Sequence, residues 1–368
     1  MNFRFQNLLG APYRGGNAVI SNNTLLLSPV GNRISVTDLR KSETTTLPIQ
    51  ASSNISRIVV SPDGTFLLAI DDNNRCLFIN LRHRALLHRI TFKHRVGAVK
   101  FSPDGGLIVV VAGKLVQIWR SPAFRKEYFP FELVKTFADF HAKITAFDWS
   151  PDSKYLLVAS KDLTARILCL KKLSGGDKYK PFLFLGHRDS VVGSFFGIDT
   201  KTNKVSKVYT VARDCYLLSW SFTGDQDEES SAPPSPGTPD GELKVGDDDV
   251  VQKRKERETE DGGGHLCRGK WELLRKDCFN QAPAKVSACH YHRGLDMVVV
   301  GFSNDVFGLY QMPDFVCIHM MSVSKKNITT ALFNDLGNWL SFGCAKLGQL
   351  LVWEWRSESY ILKQQGLL

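Results

Sequence analysis

The 368-residue sequence contains no apolar run long enough to cross a bilayer, and Met1-Asn2-Phe3-Arg4 does not begin a signal peptide. Its eight cysteines show no paired spacing, and most of them, such as Cys76, Cys169 and Cys215, fall inside strand-forming runs. Disulfide frameworks belong to oxidising compartments and need paired cysteines. We therefore expect no membrane association, a location inside the cell, and reduced, buried thiols.

Signatures of catalysis are also missing. The sequence has no glycine-rich phosphate loop, no Gly-x-Ser-x-Gly elbow and no paired histidine ligands on a helix. The carboxylate pair in Asp71-Asp72-Asn73-Asn74 lies where Asp and Asn are ordinary turn residues. Zinc at Cys289-His290-Tyr291-His292 with Cys278 is disfavoured, because strand alternation separates the first cysteine from both histidines. The sequence predicts no enzyme activity, no metal, no cofactor and no small-molecule substrate.

What the sequence does contain is a recurring Ser-Pro-Asp-Gly motif between runs of alternating apolar residues. The first two intervals are 41 and 48 residues. Proline fixes the backbone dihedral φ at one turn position, and glycine adopts the positive φ that a following position requires. Each copy therefore predicts a β-hairpin. A WD-repeat blade of four antiparallel strands takes roughly 40 to 45 residues. The copies are Ser61-Pro62-Asp63-Gly64, Ser102-Pro103-Asp104-Gly105, Ser150-Pro151-Asp152-Ser153 and the degenerate Asn334-Asp335-Leu336-Gly337.

This period predicts an all-β fold, a seven-bladed WD-repeat β-propeller that spans 1–368 as a single domain. A ring of sheets leaves only short edges, and we expect a strand borrowed from one terminus to close it. The candidates are Asn2 to Leu8 and Tyr360 to Lys363, and the latter equally resembles the first strand of a further blade. The predicted blades are centred on 17–40, 55–81, 96–120, 144–170, 187–222, 271–312 and 327–356.

The fifth predicted blade carries a set of polar residues at the spacing of the WD-repeat tetrad. His187 begins the unit, and Thr210, Asp214 and Trp220 follow at the tetrad intervals. In that arrangement Asp and His hydrogen-bond across the loops, while the hydroxyl and the indole extend the chain, because buried polar groups need partners. We interpret the four residues as structural, since a catalytic His and Asp would need an open cleft that this network fills.

Residues 224–268 contain Gly, Pro, Ser and charge with almost no apolar side chains, and they predict a disordered insertion between blades five and six. The short basic run Lys253-Arg254-Lys255 resembles a nuclear localisation signal. Ser235-Pro236 and Thr238-Pro239 match the sites that proline-directed kinases phosphorylate. The segment holds 13 acidic and 6 basic residues, a net charge of −7, whereas the whole chain carries +10. The remainder therefore carries +17.

A basic body of this kind attracts polyanions through long-range attraction and counterion release, and RNA is the first expectation. Individually, such side chains are common solvated loop residues. Taken together, they favour a nucleic-acid or partner contact. The candidate contact residues are Arg82, Arg84, Arg89, Lys93, Arg95, Lys171 and Lys172.

Several segments of the chain are more specific than the blade pattern. They are the stretch from Phe3 to Asn17, Ser61 to Ala69 with Arg75 to Asn80, Pro181 to Gly193 and Leu351-Val352-Trp353-Glu354-Trp355. These segments resemble one family, the periodic tryptophan WD-repeat proteins of the small-subunit processome, and the resemblance spans nearly the whole chain.

The resemblance implies a non-catalytic scaffold of ribosome small-subunit biogenesis that supports precursor rRNA processing. It implies a subunit of the UTP-B subcomplex, located in the nucleus and nucleolus, with other WD-repeat subunits, precursor rRNA and the snoRNA-containing particle as partners. The family carries two propellers and a helical carboxy-terminal region, whereas this sequence ends after the first propeller. The alternative is a general protein-interaction propeller, such as an adaptor or a coat subunit.

Overall fold

Seven four-stranded antiparallel sheets account for the strands in a computed structural model of the chain. The structure describes residues 13, 15–122, 131–170, 181–199, 204–223, 266, 270–323 and 326–365. Each sheet contains four consecutive strands in chain order, which is the arrangement of a propeller blade. The predicted fold class, an all-β propeller of seven blades, is confirmed. No helix among these residues has the length and apolar character needed to cross a membrane.

The strands follow one another in simple up-and-down order, and we call the four strands of each blade A to D from the central channel outward. The strands of blades one to four are β1 (Val19–Ser21), β2 (Leu25–Val30), β3 (Arg33–Asp38), β4 (Glu43–Thr46), β5 (Ile55–Val60), β6 (Phe66–Asp71), β7 (Arg75–Asn80), β8 (Ala85–Thr91), β9 (Ala98–Phe101), β10 (Leu107–Ala112), β11 (Leu115–Arg120), β12 (Leu133–Phe137), β13 (Ile144–Trp149), β14 (Tyr155–Ser160), β15 (Ala165–Cys169) and β16 (Leu183–Phe184). Those of blades five to seven are β17 (Val191–Ile198), β18 (Val205–Ala212), β19 (Tyr216–Thr223), β20 (Lys270–Cys278), β21 (Val286–His292), β22 (Met297–Phe302), β23 (Val306–Gln311), β24 (Val316–Ser322), β25 (Thr330–Phe333), β26 (Trp339–Cys344), β27 (Gln349–Glu354) and β28 (Ser359–Gln365), with a 3-10 helix at Ala345–Leu347.

The Ser-Pro-Asp-Gly motifs form the predicted hairpins between strands A and B. At Ser102 the backbone carbonyl accepts the Gly105 N–H at 2.9 Å, which closes the turn. The Ser102 hydroxyl donates to Asp104 and accepts the Leu107 N–H at 2.9 Å. The same bonds recur at Ser61 and Ser150. The serine and aspartate of the motif therefore satisfy each other and the turn backbone, while strand B resumes directly after them.

The apolar core is divided into seven clusters, one between each pair of neighbouring blades. Between blades six and seven, Phe307 packs edge-on against the fully buried Trp353, with ring centroids 5.3 Å apart. Between blades seven and one, Val352 shares a cluster with Leu26 and Ile20. Burial of one such large side chain stabilises the fold by about 1.5–3 kcal/mol. The seventh cluster closes the ring through side-chain packing.

Two expectations about the ends of the ring need correction. We predicted a borrowed strand at the closure, but β28 pairs with β27 and completes the blade that contains its own preceding strands. Tyr360 to Lys363 is therefore neither a borrowed strand nor the start of an eighth blade. The first and last blades also meet through the Leu336 N–H, which donates to Asn23 Oδ1 at 3.0 Å. Asn2 to Leu8 lies outside the described residues.

The insertion lies elsewhere than predicted. Strand β20 pairs along its length with β19, so it is strand D of blade five and not the first strand of blade six. The insertion therefore connects strands C and D of blade five. Leu266 is the one residue of 224–268 that the structure describes, and it is buried against Trp271, whose indole donates to the Leu266 carbonyl at 3.1 Å. The other residues of the predicted insertion lie outside the described residues. They include the predicted phosphorylation sites and the basic run that resembles a nuclear localisation signal.

Candidate nucleic-acid interface

The up-and-down strand order gives the ring two faces with different loops. Because successive strands are antiparallel, the A–B and C–D turns emerge on one face, which we call the A–B face. Its described loops are 22–24, 39–42, 61–65, 81–84, 102–106, 121–122, 131–132, 150–154, 170, 181–182, 199, 204, 293–296, 312–315, 334–338 and 355–358. The B–C turns and the connections between blades form the D–A face, with described loops 31–32, 47–54, 72–74, 92–97, 113–114, 138–143, 161–164, 185–190, 213–215, 279–285, 303–305, 323, 326–329 and 345–348.

The structure separates the cations that the sequence groups together between 82 and 95. Arg82 and Arg84 lie in the C–D turn of blade two, on the A–B face. Lys93 and Arg95 lie in the connection to blade three, on the D–A face, and Arg89 lies in the outer strand β8. All five side chains are exposed. They point to two opposite surfaces and to the rim, so they do not form one site. Lys171 and Lys172 lie outside the described residues.

The two faces differ in charge over their described loops. The A–B face carries nearly balanced charge, because the hairpin motif itself places carboxylates there, as at Asp63, Asp104 and Asp152. Its basic residues are Arg40, Lys41, Arg82, Arg84, Lys154, Lys204, Arg293 and Arg356, and its acidic residues are Asp63, Asp104, Glu132, Asp152, Asp199, Asp296, Asp314, Asp335 and Glu358. The D–A face carries more positive than negative charge. Its basic residues are Lys93, Arg95, Lys114, Lys143, Lys161, Arg188, Arg213, Lys285, Lys326 and Lys346, and its acidic residues are Asp72, Asp139, Asp162, Asp189, Asp214 and Asp305.

Three of the D–A lysines were missed by the sequence reasoning. Lys114, Lys143 and Lys161 stand as isolated basic residues in the chain, far from the runs that attract notice. The signal that could have found them is their position relative to the repeat. Each falls in a B–C turn or in a blade-to-blade connection, and these loops share one face in every blade. Register within the repeat locates a surface residue better than the local density of charge does.

The predicted tetrad of blade five is assembled in part. The hydroxyl of Thr210 lies 2.8 Å from His187 Nε2 and accepts the Trp220 indole N–H at 3.4 Å. The Asp214 carboxylate accepts the backbone N–H groups of Arg188 at 3.1 Å and Tyr216 at 3.2 Å. The aspartate therefore holds the loop backbone beside the histidine. Burial lowers the pKa of His187 to about 4, despite the attraction of Asp214, so the ring is neutral at pH 7.

The tetrad gives a first testable prediction. Replacing Thr210 with valine removes the hydroxyl that links His187 and Trp220 while keeping the side-chain shape. Both partners are buried, so the free energy of unfolding should fall by about 1–3 kcal/mol. Urea unfolding followed by tryptophan fluorescence would measure the loss. Thr223→Val, at an exposed hydroxyl that donates to the Lys270 carbonyl, is the control and should change stability by less than about 0.5 kcal/mol. Equal losses in both variants would contradict a network role for Thr210.

An ion-pair network crosses the central channel near the A–B face. Asp148, on strand A of blade four, contacts Lys100 of blade three at 2.7 Å and Arg293 of blade six at 2.5 Å. Arg293 also donates to the Trp149 carbonyl. Burial alone would raise the pKa of Asp148, but attraction to Lys100 and Arg293 outweighs it and lowers the pKa to about 2. The carboxylate is a structural anion and holds no transferable proton near neutral pH.

The histidines of the disfavoured zinc segment serve neighbouring backbone groups. His290 Nδ1 accepts the Phe333 N–H at 3.3 Å, and His292 Nε2 lies 2.9 Å from the Asp335 carbonyl. Burial lowers the pKa of His290 to about 3. His290 and Arg293 line a channel cavity of about 510 Å³ together with residues of blades one to four and seven. Among the described residues, no group of three or more His, Cys, Asp or Glu side chains is arranged to hold a metal ion.

Comparison with known proteins agrees with this architecture. A WD domain, G-beta repeat model matches residues 131–168. A chain in a crystal structure of the mitotic checkpoint complex superposes with a TM-score of 0.66 at 10% identity, over 95% of this chain and 90% of that one. The β-propeller domain of Cps50 (Swd1) from Myceliophteria thermophila superposes with a TM-score of 0.63 at 10% identity, over 92% of this chain and 99% of that one. Seven four-stranded blades and a WD-repeat match define the molecule as a WD-repeat β-propeller.

Sequence relatives identify it more closely. The chain is 61% identical over 388 aligned residues to periodic tryptophan protein 2 of Arabidopsis thaliana, covering 100% of this chain and 43% of that protein. It is 38% identical over 368 residues to periodic tryptophan protein 2 of Saccharomyces cerevisiae, covering 99% of this chain and 37% of that protein. Along its whole length, the chain is a homologue of periodic tryptophan protein 2. It spans about two fifths of the length of these relatives.

Proposed function

We propose that the chain is a non-catalytic scaffold in the biogenesis of the small ribosomal subunit, where it supports precursor rRNA processing within the small-subunit processome. The observation that carries this proposal is the 61% identity to a periodic tryptophan protein 2 over the full chain. The resemblance to the processome family extends through the same residues.

The physical chemistry of the ring supports an RNA-associated role. Outside 224–268 the chain carries a net charge of +17, and the described loops of the D–A face are predominantly basic. Such a surface neutralises phosphates and releases their counterions, which gives affinity without base specificity. In the channel, the Asp148 carboxylate is paired with Lys100 and Arg293 and is not available to a ligand.

The same proposal extends to partners and location. We expect association with other WD-repeat subunits of the UTP-B subcomplex, with precursor rRNA and with the snoRNA-containing particle, in the nucleolus. Propellers present several rigid loops on each face, which suits simultaneous protein and RNA contacts. Fluorescent tagging of the native protein tests the location directly, and a purely cytoplasmic signal would contradict it.

Ultraviolet crosslinking followed by sequencing of the bound RNA tests the central claim. The native protein, tagged in the cells that produce it, should crosslink predominantly to precursor rRNA, well above mature cytoplasmic RNA. A tagged unrelated propeller of similar abundance controls for background capture. Enrichment of other RNA classes, or none above that control, would contradict the proposal and favour the general protein-interaction propeller.

A further inference from the structure

Five exposed cations gather on neighbouring loops of the D–A face in blades two to four. They occupy the connection 92–97, the B–C turn 113–114, the connection 138–143 and the B–C turn 161–164. All five side chains are exposed. We call this set the blade 2–4 cation patch, and it consists of Lys93, Arg95, Lys114, Lys143 and Lys161.

Main-chain hydrogen bonds hold these loops against one another. The Lys161 N–H donates to the Lys143 carbonyl at 2.8 Å, and the Ile144 N–H donates to the Gly113 carbonyl at 2.9 Å. Three lysine-bearing loops are thus tied together across blades three and four. The connection that carries Lys93 and Arg95 is bonded to strand β10, which leads into the 113–114 turn, through the Gly97 N–H, which donates to the Val111 carbonyl at 2.8 Å. The backbone that carries these cations is therefore held in place by hydrogen bonds.

The charges of the patch have no partner within the described part of the chain. None of its five members forms an ion pair there. By contrast, Lys285 further round the same face pairs with Asp189 at 3.3 Å. Two aspartates share the patch loops, namely Asp139 and Asp162, and the second of these pairs with Arg166 at 3.6 Å. Like charges held together without counterions attract an external polyanion.

The patch offers cations without an exposed Phe, Tyr or Trp side chain. Phe92 and Phe140, the phenylalanines of these loops, are both buried, the loops contain no Tyr or Trp, and the exposed rings are the small imidazoles of His94 and His141. Proteins that read unpaired bases stack them on exposed aromatic side chains, whereas lysines contact phosphates and carry no sequence information. The surface therefore matches the RNA backbone and not its bases.

We propose that the blade 2–4 cation patch is the surface through which this propeller binds the phosphate backbone of RNA, independently of base sequence. The inference rests on the proposed function and specifies the face that performs it. The A–B face, where hairpin carboxylates offset the cations, faces away from this RNA contact.

The test compares RNA affinity of the purified full chain with that of Lys114→Gln/Lys143→Gln/Lys161→Gln. Fluorescence anisotropy with labelled polyuridine RNA at about 50 to 200 mM salt gives the dependence of binding on salt. Each lost phosphate contact on a single strand removes about 0.7 from the logarithmic salt slope, so the triple variant should lose about 2. Its affinity near 100 mM salt should fall about tenfold or more. Labelled polycytidine should show the same losses.

The matched control removes equal charge from the opposite face. Arg40→Gln/Lys41→Gln/Arg82→Gln changes three exposed cations of the A–B face and should leave the salt slope unaltered. Lys114→Arg/Lys143→Arg/Lys161→Arg keeps the charge and should keep the affinity, which separates lost contacts from damaged loops. Equal losses of RNA affinity in the two glutamine variants would overturn the assignment to this face. An unchanged polyuridine affinity in Lys114→Gln/Lys143→Gln/Lys161→Gln would overturn it as well.

Three further outcomes separate this inference from the proposal on which it rests. If the patch variant loses binding to polyglutamate but not to RNA, the patch serves an acidic protein and the inference is wrong. If the unaltered chain binds neither RNA in these assays nor precursor rRNA in cells, the proposed function fails together with it. Loss of RNA binding in the A–B variant alone would contradict the face while leaving the function in place.

Discussion

Replacing Asp148 with alanine is expected to lower the free energy of unfolding by about 3 kcal/mol. The Asp148 carboxylate is 5% exposed and forms ion pairs with Lys100 and Arg293. It also accepts a hydrogen bond from the Phe196 N–H at 3.3 Å. Its loss leaves two cations without their counter-charge and a buried N–H without an acceptor. Breaking a buried ion pair costs about 3–5 kcal/mol. The low end applies because Lys100 and Arg293 are 47% and 25% exposed, so water screens them in part.

Urea unfolding at pH 7 measures this loss, and a surface pair provides the control. Arg120 and Glu132 lie 3.1 Å apart with side chains that are 43% and 51% exposed, so Arg120→Ala should cost less than about 1 kcal/mol. The network also predicts a pH dependence. Because the folded pKa of Asp148 is depressed to about 2, its contribution is present above the unfolded pKa of about 3.8 and is lost as pH falls towards 2. A cost for Asp148→Ala no larger than that of Arg120→Ala would contradict the role assigned to the network.

The hairpins and the number of blades were predictable because their causes are local. Ser, Pro, Asp and Gly at fixed positions supply the hydrogen bonds and the backbone conformation of a turn within about five residues. The hydrogen bonds of Ser102 with Asp104 and Leu107 follow from that local chemistry alone. The His187, Thr210 and Trp220 chain was predictable from spacing for a similar reason. The Asp214 carboxylate accepts hydrogen bonds from the loop backbone and not from His187. The spacing of these residues in the sequence does not show which of the two donors the carboxylate will take.

The assignment of β20 failed because alternation identifies a strand but not its neighbour. Lys270–Cys278 follows a long insertion and directly precedes blade six, so adjacency in sequence suggested the wrong sheet. Pairing with β19 is favoured by packing instead, since Trp271 fits against Phe184 with ring centroids 5.5 Å apart. The same limit hid the channel network, because Arg293 and Asp148 are 145 residues apart in the chain.

The grouping of cations failed for a geometric reason. A blade reverses direction at every turn, so residues eleven positions apart can lie on opposite faces, as Arg84 and Arg95 do. Lysines far apart in the sequence can conversely share one face, as Lys114, Lys143 and Lys161 of blades three and four do. Charge in a propeller should therefore be summed by loop type. Counted in this way, the hairpin carboxylates oppose polyanion binding on the A–B face, and the D–A face remains available for it.

Acidification should destabilise this protein through His187 before it protonates Asp148. The folded pKa of His187 is about 4, and the ordinary value of about 6.5 applies in the unfolded chain. Between these values the unfolded state binds a proton that the folded state excludes. The contribution of the buried neutral ring is therefore complete above pH 6.5, declines as pH falls, and is lost near pH 4. The difference of about 2.5 units corresponds to about 3 kcal/mol.

His187→Gln isolates this effect because glutamine has no proton to gain. At pH 7 its free energy of unfolding should be lower than that of the unaltered chain. Between pH 7 and pH 4 the difference between the two free energies of unfolding should change by about 3 kcal/mol in favour of the variant. Urea unfolding across this range provides the measurement. The matched control is His141→Gln, an exposed histidine in the equivalent connection one blade earlier, which should run parallel to the unaltered chain. A gap between His187→Gln and the unaltered chain that stays constant from pH 7 to 4 would show that the buried ring is not excluding the proton.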